Sequence, residues 1–211
     1  MPATKTTTLA LFADWKQAEE AVQRLAAAGV ARERVSIVAN REACGPGVGP
    51  VENIGADSKA GTGAAIGGLA GFAAGVVALA IPGIGAILAA GPFAAGLVGA
   101  GLGAAAGGLI GKLREAGVPE SEAGCYCEAV RRGGILVAVN TTEADAERVS
   151  QVLGEFEVLN LDTCRMDWQR QGWKGFRPDA DAQELGYDPN NLRPSSNREE
   201  SKGVRRYVRI T

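Results

Sequence analysis

The chain has 211 residues, which is enough for one ordinary domain or two small ones. Its formal net charge of −2 gives no bulk electrostatic reason to bind nucleic acid. Histidine is absent, which removes the commonest general acid/base and the commonest metal ligand, and no small-molecule substrate suggests itself. We therefore expect a protein that is not an enzyme and that carries neither a cofactor nor a metal.

The first segment, residues 1–58, predicts a strand, a helix and a second strand. Residues 6–12 are β-branched and apolar, and Asp14 is a suitable N-cap for an amphipathic helix over residues 16–28. Gly29 ends this helix, and residues 35–39 form the second strand. A Gly- and Pro-rich loop follows. The N-terminus lacks the features of a signal peptide, so we expect the folded part in the cytoplasm.

The second segment, residues 59–112, contains 52 consecutive uncharged residues, of which 16 are glycine. Proline and glycine pairs divide it into two runs of 20 residues, 62–81 and 92–111. As helices, each run would be roughly 30 Å long, close to the thickness of the hydrocarbon core of a bilayer. The pattern predicts an inserted apolar helical hairpin. Its turn would involve Pro82, Gly83, Gly91 and Pro92.

Glycines recur every four residues in both runs, which predicts a glycine zipper. Residues four apart lie on one face of a helix, where glycine lets another helix approach closely. Each glycine inside a helix lowers the stability of that helix by about 1 kcal/mol relative to alanine. Close contacts between helices must offset the sum of these losses. Helix pairing within the hairpin, between subunits, or both would supply these contacts, and we expect Gly67, Gly71, Gly103 and Gly107 to be the central ones. The candidate oligomerisation residues are Gly63, Gly67, Gly71, Gly75, Gly99, Gly103, Gly107 and Gly111.

Basic residues flank the apolar segment at its open end. They are Lys59, Lys112 and Arg114, and in a membrane they would keep this end cytoplasmic. We therefore expect a cytoplasmic domain associated with a lipid membrane. In the alternative, the hairpins form the buried core of a fully cytoplasmic assembly.

The third segment, residues 113–164, resumes the pattern of a folded domain. It predicts a helix over residues 119–132, a strand over 135–139 and a helix over 143–153 capped by Thr141 or Thr142. A last strand is predicted over residues 157–162. Together with the first segment this gives an α+β fold, a ferredoxin-like α/β sandwich split by the inserted hairpin.

The tail, residues 165–211, is polar and contains scattered prolines, so we expect it to be largely extended. We expect its aromatic residues Trp168, Trp173 and Phe176 to dock on the domain. In the alternative, Trp168 and Trp173 lie at a membrane interface.

The four cysteines do not form a metal site. Cys125 and Cys127 are two residues apart on a predicted helix, so they point in nearly opposite directions, and no histidine completes a zinc set. We expect one of them to be buried and the other partly exposed. Cys44 and Cys164 are expected to be accessible to solvent.

Two stretches of the soluble halves resemble a known family. They are residues 11–38, LFADWKQAEEAVQRLAAAGVARERVSIV, and residues 117–140, GVPESEAGCYCEAVRRGGILVAVN. The pattern is similar to the bacterial general stress protein 17M-like family, also called heat-induced stress proteins. The resemblance implies a stress-linked role and no established catalytic residues.

The leading hypothesis is a stress-associated scaffold that assembles with itself through zippered hairpins, in or at a membrane. One alternative is a soluble homo-oligomeric shell or filament in which the hairpins are the buried core. Another is a ligand-sensing regulatory domain, which rests on analogy of fold alone.

Overall fold

The computed structural model describes residues 5–40, 77–81, 85–98, 105–177, 192 and 203–209. These residues form a mixed α+β domain around a six-stranded sheet. The strand order is β3-β4-β2-β5-β1-β6, and every neighbouring pair is antiparallel. The strands are β1 (Lys5–Phe12), β2 (Val35–Asn40), β3 (Val77–Ile81), β4 (Gly85–Ala90), β5 (Ile135–Thr142) and β6 (Arg205–Arg209).

Helices cover both faces of this sheet. On one face, Ala18 and Leu25 of the first helix and Val149 of the fifth pack on apolar strand residues. The other four helices lie on the opposite face, where Leu113 and Trp168 are fully buried. Because both faces of the sheet are covered, the sequences of β2 and β5 are nearly continuous apolar runs. The helices are α1 (Trp15–Ala27), α2 (Pro92–Val98), α3 (Ala105–Glu115), α4 (Glu120–Arg131), α5 (Glu143–Leu153) and α6 (Leu161–Arg170).

The predictions for β1, α1 and β2 are confirmed to within one residue at each end. The side chain of Asp14 accepts a hydrogen bond from the backbone N–H of Gln17, as expected of an N-cap. Gly29 adopts φ +82° directly after the helix, a conformation that L-residues with a side chain rarely take.

The predictions for α4, β5 and α5 are confirmed as well. Gly133 follows α4 with φ +89° and leads the chain into the central strand β5. The hydroxyl of Thr142 accepts from the backbone N–H of Asp145 and caps α5, so the second of the two suggested capping residues has this role.

The predicted helix over residues 62–81 is wrong at its C-terminal end. Residues 77–81 form strand β3, whose sequence Val-Ala-Leu-Ala-Ile alternates large and small residues with the period of a strand. Gly85–Ala90 is also a strand, β4, and not part of a turn between helices. Pairing of β4 with β2 decides this outcome, because it adds a full ladder of backbone hydrogen bonds. Residues 62–76 lie outside the described residues.

The predicted helix over residues 92–111 begins at Pro92 as expected. The structure shows two helices in this range, because α2 ends at Val98 and α3 begins at Ala105. The second of them continues past Gly111 to Glu115. Residues 99–104 lie outside the described residues.

The predicted strand over residues 157–162 is also wrong. Asn160 caps α6 there, since its side-chain oxygen accepts from the backbone N–H groups of Asp162 and Thr163 at 2.9 and 3.1 Å. The position beside β1 is instead filled by β6 from the tail. The tail is therefore not largely extended up to residue 177, because α6 occupies its first part. Trp168 and Trp173 dock in the core as predicted.

Candidate functional site

The described part of the apolar insertion is built into the domain. Ile87 and Phe93 are buried in the core that lies between the sheet and α2, α3, α4 and α6. Strand β4 pairs with β2, and β3 pairs with β4 at the end of the sheet. The insertion therefore extends the sheet by two strands and covers one of its faces with two helices.

Gly91 and Pro92 form the junction between β4 and α2. Gly91 has φ +81°, and a Cβ atom placed on it would lie 2.0 Å from the carbonyl oxygen of Val35. Behind it, the N–H of Phe93 donates to the hydroxyl oxygen of Ser36 at 3.2 Å. These predicted turn residues thus make a strand-to-helix turn that lies against β2. Pro82 and Gly83 are outside the described residues.

Two of the predicted zipper glycines, Gly107 and Gly111, fall on α3. They lie about 200° around the helix from Leu109 and Leu113, which are fully buried against the sheet. A Cβ atom placed on Gly111 would meet no described atom within 4 Å. At Gly111, α3 therefore leaves room beside its backbone among the described residues. Gly63, Gly67, Gly71, Gly75, Gly99 and Gly103 lie outside the described residues.

The basic residues that flank the insertion pair with acidic neighbours. Lys112 contacts Glu115 at 2.6 Å, and Arg114 lies 3.5 Å from Glu120. Both contacts are at the surface, where such pairs contribute little to stability. The C-terminal end of α3 is therefore solvated and charged. Lys59 is outside the described residues.

The cysteines do not behave as predicted. Cys125, Cys127 and Cys164 are all buried, so neither a partly exposed thiol in the first pair nor an accessible Cys164 is found. Burial raises the pKa of Cys125 to about 11 and that of Cys164 to about 12, and it raises the pKa of Cys127 further. These thiols stay protonated and unreactive at neutral pH. Cys44 lies outside the described residues.

A buried ionic cluster holds the start of the tail against α4. Glu128 has no exposed surface and accepts hydrogen bonds from Arg131 and, at 2.7 Å, from Nε of Arg132. The guanidinium of Arg132 lies 4.8 Å from the ring centroid of Trp168, and that of Arg131 lies 5.0 Å from Phe176. Sequence reasoning missed this cluster. Its signal was the spacing of Glu128 three and four residues before the two arginines.

A second network joins α4 and α6 to strand β6. Glu122 accepts from the hydroxyl of Tyr207 at 2.5 Å and from Arg205 at 2.6 Å. Arg205 also donates to Asp162 on α6. The hydroxyls of Tyr207 and Tyr126 are 3.2 Å apart and buried, so Tyr126 donates when Tyr207 donates to Glu122. Burial raises the pKa of both tyrosines, for Tyr207 to about 12.

The described ranges contain neither a membrane-spanning helix nor a cluster of metal ligands. No helix there combines the length and the hydropathy needed to cross a bilayer. In the same residues, no three or more His, Cys, Asp or Glu side chains are grouped so that they would hold a metal ion.

Comparisons of the chain with protein-family models, with curated proteins and with solved structures gave no match. The candidate site is the insertion, which adds two strands to the sheet and carries Gly107 and Gly111 on α3.

Proposed function

We propose that this chain is a non-enzymatic scaffold that assembles with itself through its charge-free insertion. The observation that carries the proposal is the position of Gly111 on α3, where an added Cβ atom would meet no described atom. A glycine inside a helix costs about 1 kcal/mol relative to alanine, and at Gly111 no described atom of the same chain comes close enough to need it. Close approach of a helix from a second molecule would offset this cost.

The packing of the insertion favours an assembly in water over a helical hairpin in lipid. To insert residues 62–111 as two helices, β4 would have to leave β2, and β3 would have to leave β4. Leu109 and Leu113 would also lose their burial against the sheet. We therefore place the soluble homo-oligomer first.

A lipid membrane is the second candidate partner. It is favoured by the 52-residue stretch without charge and by the cations Lys112 and Arg114 at its C-terminal border. In this form the insertion would act as an anchor and the remaining domain would stay at the membrane surface.

The strand order supports a ferredoxin-like assignment for the rest of the domain. Without the insertion, the order is β6-β1-β5-β2, with α1 and α5 packed on one face. This is the order expected of a βαββαβ sandwich whose fourth strand comes from the tail. The resemblance to general stress proteins adds a stress-linked role to the proposal.

The test of self-association uses the full chain. Sedimentation equilibrium over a range of concentrations is compared for the unmodified chain, Gly111→Leu and Gly111→Ala. We expect the unmodified chain to associate and the leucine variant to associate at least tenfold more weakly, because leucine fills the glycine face. The alanine variant is the matched control, since its single methyl group leaves most of that face open. A monomeric unmodified chain at every concentration would contradict the proposal.

The membrane candidate is tested separately by extraction with alkaline carbonate. Cells expressing the full chain are fractionated, and the membrane pellet is washed and then treated with detergent. Retention in the pellet until detergent is added supports an integral anchor. Release as a discrete particle supports the soluble assembly.

A further inference from the structure

Two separate segments of the chain contact the same edge of β1. Strand β6 pairs with residues 5–9. One step further along, the backbone N–H of Leu159 donates to the carbonyl oxygen of Leu11 at 2.7 Å. Alternate residues of a strand turn their N–H and C=O groups to the same side, so Leu9 and Thr7 offer these groups to this edge as Leu11 does. The segment that contains Leu159 therefore begins a second row of contacts along the edge that β6 occupies.

This segment already packs as a strand would. The side chain of Val158 packs on the core on the side of α1 and α5, whereas that of Leu159 packs on the core of the opposite face. Successive side chains of a strand point to opposite faces in the same way. Two residues further on, Leu161 is buried in the core that Leu159 contacts. The segment is thus placed to continue along β1.

Strand β6 enters the edge where this segment leaves it. A Cβ atom on Gly203 would lie 2.5 Å from the carbonyl oxygen of Val158 and 2.6 Å from that of Leu159. The chain then turns into α6, which Asn160 caps. Since one edge of a strand accommodates one partner strand, only one of the two segments can lie beside Leu9.

The backbone bond of Leu159 fixes the register of the alternative. An antiparallel continuation from that bond sets Leu161 opposite Leu9 and Thr163 opposite Thr7. In the structure, two residues of β6 hold these positions. Leu161 would remain on the face of the sheet where it is already buried. The continuation therefore keeps its largest apolar side chain in the same core.

Side-chain contacts favour β6 in the arrangement that the structure shows. Arg205 donates to Asp162 on α6 and, at 2.6 Å, to Glu122 on α4. The cap of α6 by Asn160 and the contact of Arg205 with Asp162 both require the first turn of this helix. If residues 161–163 became extended, both would be lost together. The two arrangements therefore exclude each other.

We propose that β6 and residues 159–163 are alternative strands for the same edge of β1, and that β6 leaves the sheet by exchanging with them. The tail is then a displaceable strap. Its release frees the three arginines of β6 while the sheet keeps a paired edge. The inference concerns contacts within one chain, so its failure would leave the proposed self-association untouched.

The first experiment follows backbone hydrogen exchange by NMR in the unmodified chain. If β6 only frays, the amides of Thr7 and Leu9 lose their partners together with the amide of Tyr207. If residues 159–163 replace β6, Thr7 and Leu9 stay protected while Tyr207 exchanges. We expect the amide of Tyr207 to exchange at least about tenfold faster than those of Thr7 and Leu9. Similar rates at all three would overturn the proposal.

Two full-length variants shift the balance from opposite sides. Gly203→Ala adds a methyl group 2.5 Å from the carbonyl oxygen of Val158 and should displace β6. Asn160→Val removes the cap of α6 and adds a β-branched residue to the alternative strand. In each variant we expect exchange at Tyr207 to accelerate by about tenfold or more, while exchange at Thr7 changes by less than about threefold.

Gly124→Ala is the matched control for Gly203→Ala. The Cβ atom that it adds would lie 3.4 Å from Cβ of Phe176, so the two atoms touch without a clash. It should leave exchange in β6 unchanged. Unchanged exchange in both Gly203→Ala and Asn160→Val as well would contradict the proposal.

Contacts between α-protons identify the strand that lies beside β1. In the structure Thr8 is paired with Arg206 at a position without hydrogen bonds between the two, where the α-protons come close together. After the exchange Asp162 takes the place of Arg206. We expect a nuclear Overhauser effect between the α-protons of Thr8 and Asp162 in both variants. A β1 edge that stays protected without this contact would mean that another segment covers it, and an edge that loses protection together with β6 would mean that nothing replaces β6. Either result would overturn the proposal.

Discussion

The two edges of the sheet are built in opposite ways. Strand β6 carries three arginines among its five residues, and residues of α3, α4, α5 and α6 bond to its side chains. Strand β3 carries no charge and comes from a segment without any. Charged edge strands discourage pairing with other chains, whereas neutral ones permit it. The described sheet therefore ends in a charged strand on one side and in an uncharged strand on the other.

The edges also differ in what holds them to the sheet. Side-chain hydrogen bonds of Glu122 and Tyr207 fasten β6, in addition to its ladder with β1. The other edge has the backbone ladders of β3 and β4, the buried side chains of β4 and a close approach of Gly91 to β2. Loss of a polar side chain should therefore affect β6, and added bulk at Gly91 should affect the β4 end.

The largest expected effect is at the junction of β4 and α2. Gly91→Ala would place Cβ 2.0 Å from the carbonyl oxygen of Val35, at a φ of +81°. We expect the free energy of unfolding to fall by about 3 kcal/mol or more, because the backbone of β2 or of the turn must move. Urea denaturation followed by circular dichroism, at one fixed chain concentration, measures this.

Gly111→Ala is the control for Gly91→Ala. It lies in α3 with no described atom near its added Cβ, so it should leave stability unchanged or raise it by up to about 1 kcal/mol. If both alanines have the same effect, the close approach of Gly91 does not hold the β4 end.

The next largest effect is expected at the β6 edge. Glu122→Ala removes the acceptor shared by Tyr207 and Arg205, whose side chains are mostly buried. We expect a loss of about 1–3 kcal/mol, the range for a hydrogen bond to a charged group in such surroundings. Hydrogen exchange should speed up in β6 and leave β3 unaffected. Equal acceleration at both edges would mean that the two do not behave independently.

Tyr207→Phe should have a smaller effect of about 1 kcal/mol. It removes the donor to Glu122 and leaves the buried hydroxyl of Tyr126 without its partner. The same denaturation experiment measures it. In a chain that already carries Glu122→Ala, Tyr207→Phe should lower the free energy of unfolding by less than it does in the unmodified chain. The reason is that the two residues act through one hydrogen bond.

The network also makes β6 sensitive to alkali. Burial, followed by the hydrogen bond to Glu122, raises the pKa of Tyr207 from 10.0 to about 12 in the folded chain. A raised pKa favours the neutral phenol, so this stabilisation is fully present below pH 10 and is lost as the pH rises from 10 towards 12. Between pH 10 and pH 12, the free energy of unfolding should therefore fall less in Tyr207→Phe than in the unmodified chain. Parallel pH profiles would show that Tyr207 does not contribute.

Local signals explain which parts of the fold were predictable from the sequence. Asp14, Gly29 and Thr142 mark helix ends by chemistry that acts over three or four residues, and these boundaries were predicted correctly. The ends of the sheet were not. An Ala- and Gly-rich apolar run is compatible with a helix or with a buried strand, and only pairing with β2 decides between them.

The β6 edge was missed for a related reason. Its partner β1 lies about 200 residues away in sequence, and nothing within Arg205–Arg209 indicates that pairing. The candidate site shows the same limit. Spacing places Gly107 and Gly111 on one helix, and the zipper itself stays a prediction. The network of Glu122 and Tyr207 was missed because it depends on contacts between distant elements.

The smallest expected effect concerns an exposed arginine of β6. Arg206 contacts Glu147 at 2.7 Å, but about half of each side chain is exposed to solvent. Arg206→Ala should therefore change the free energy of unfolding by less than about 0.5 kcal/mol. A loss above 1 kcal/mol would mean that surface pairs hold this edge as firmly as the buried network does.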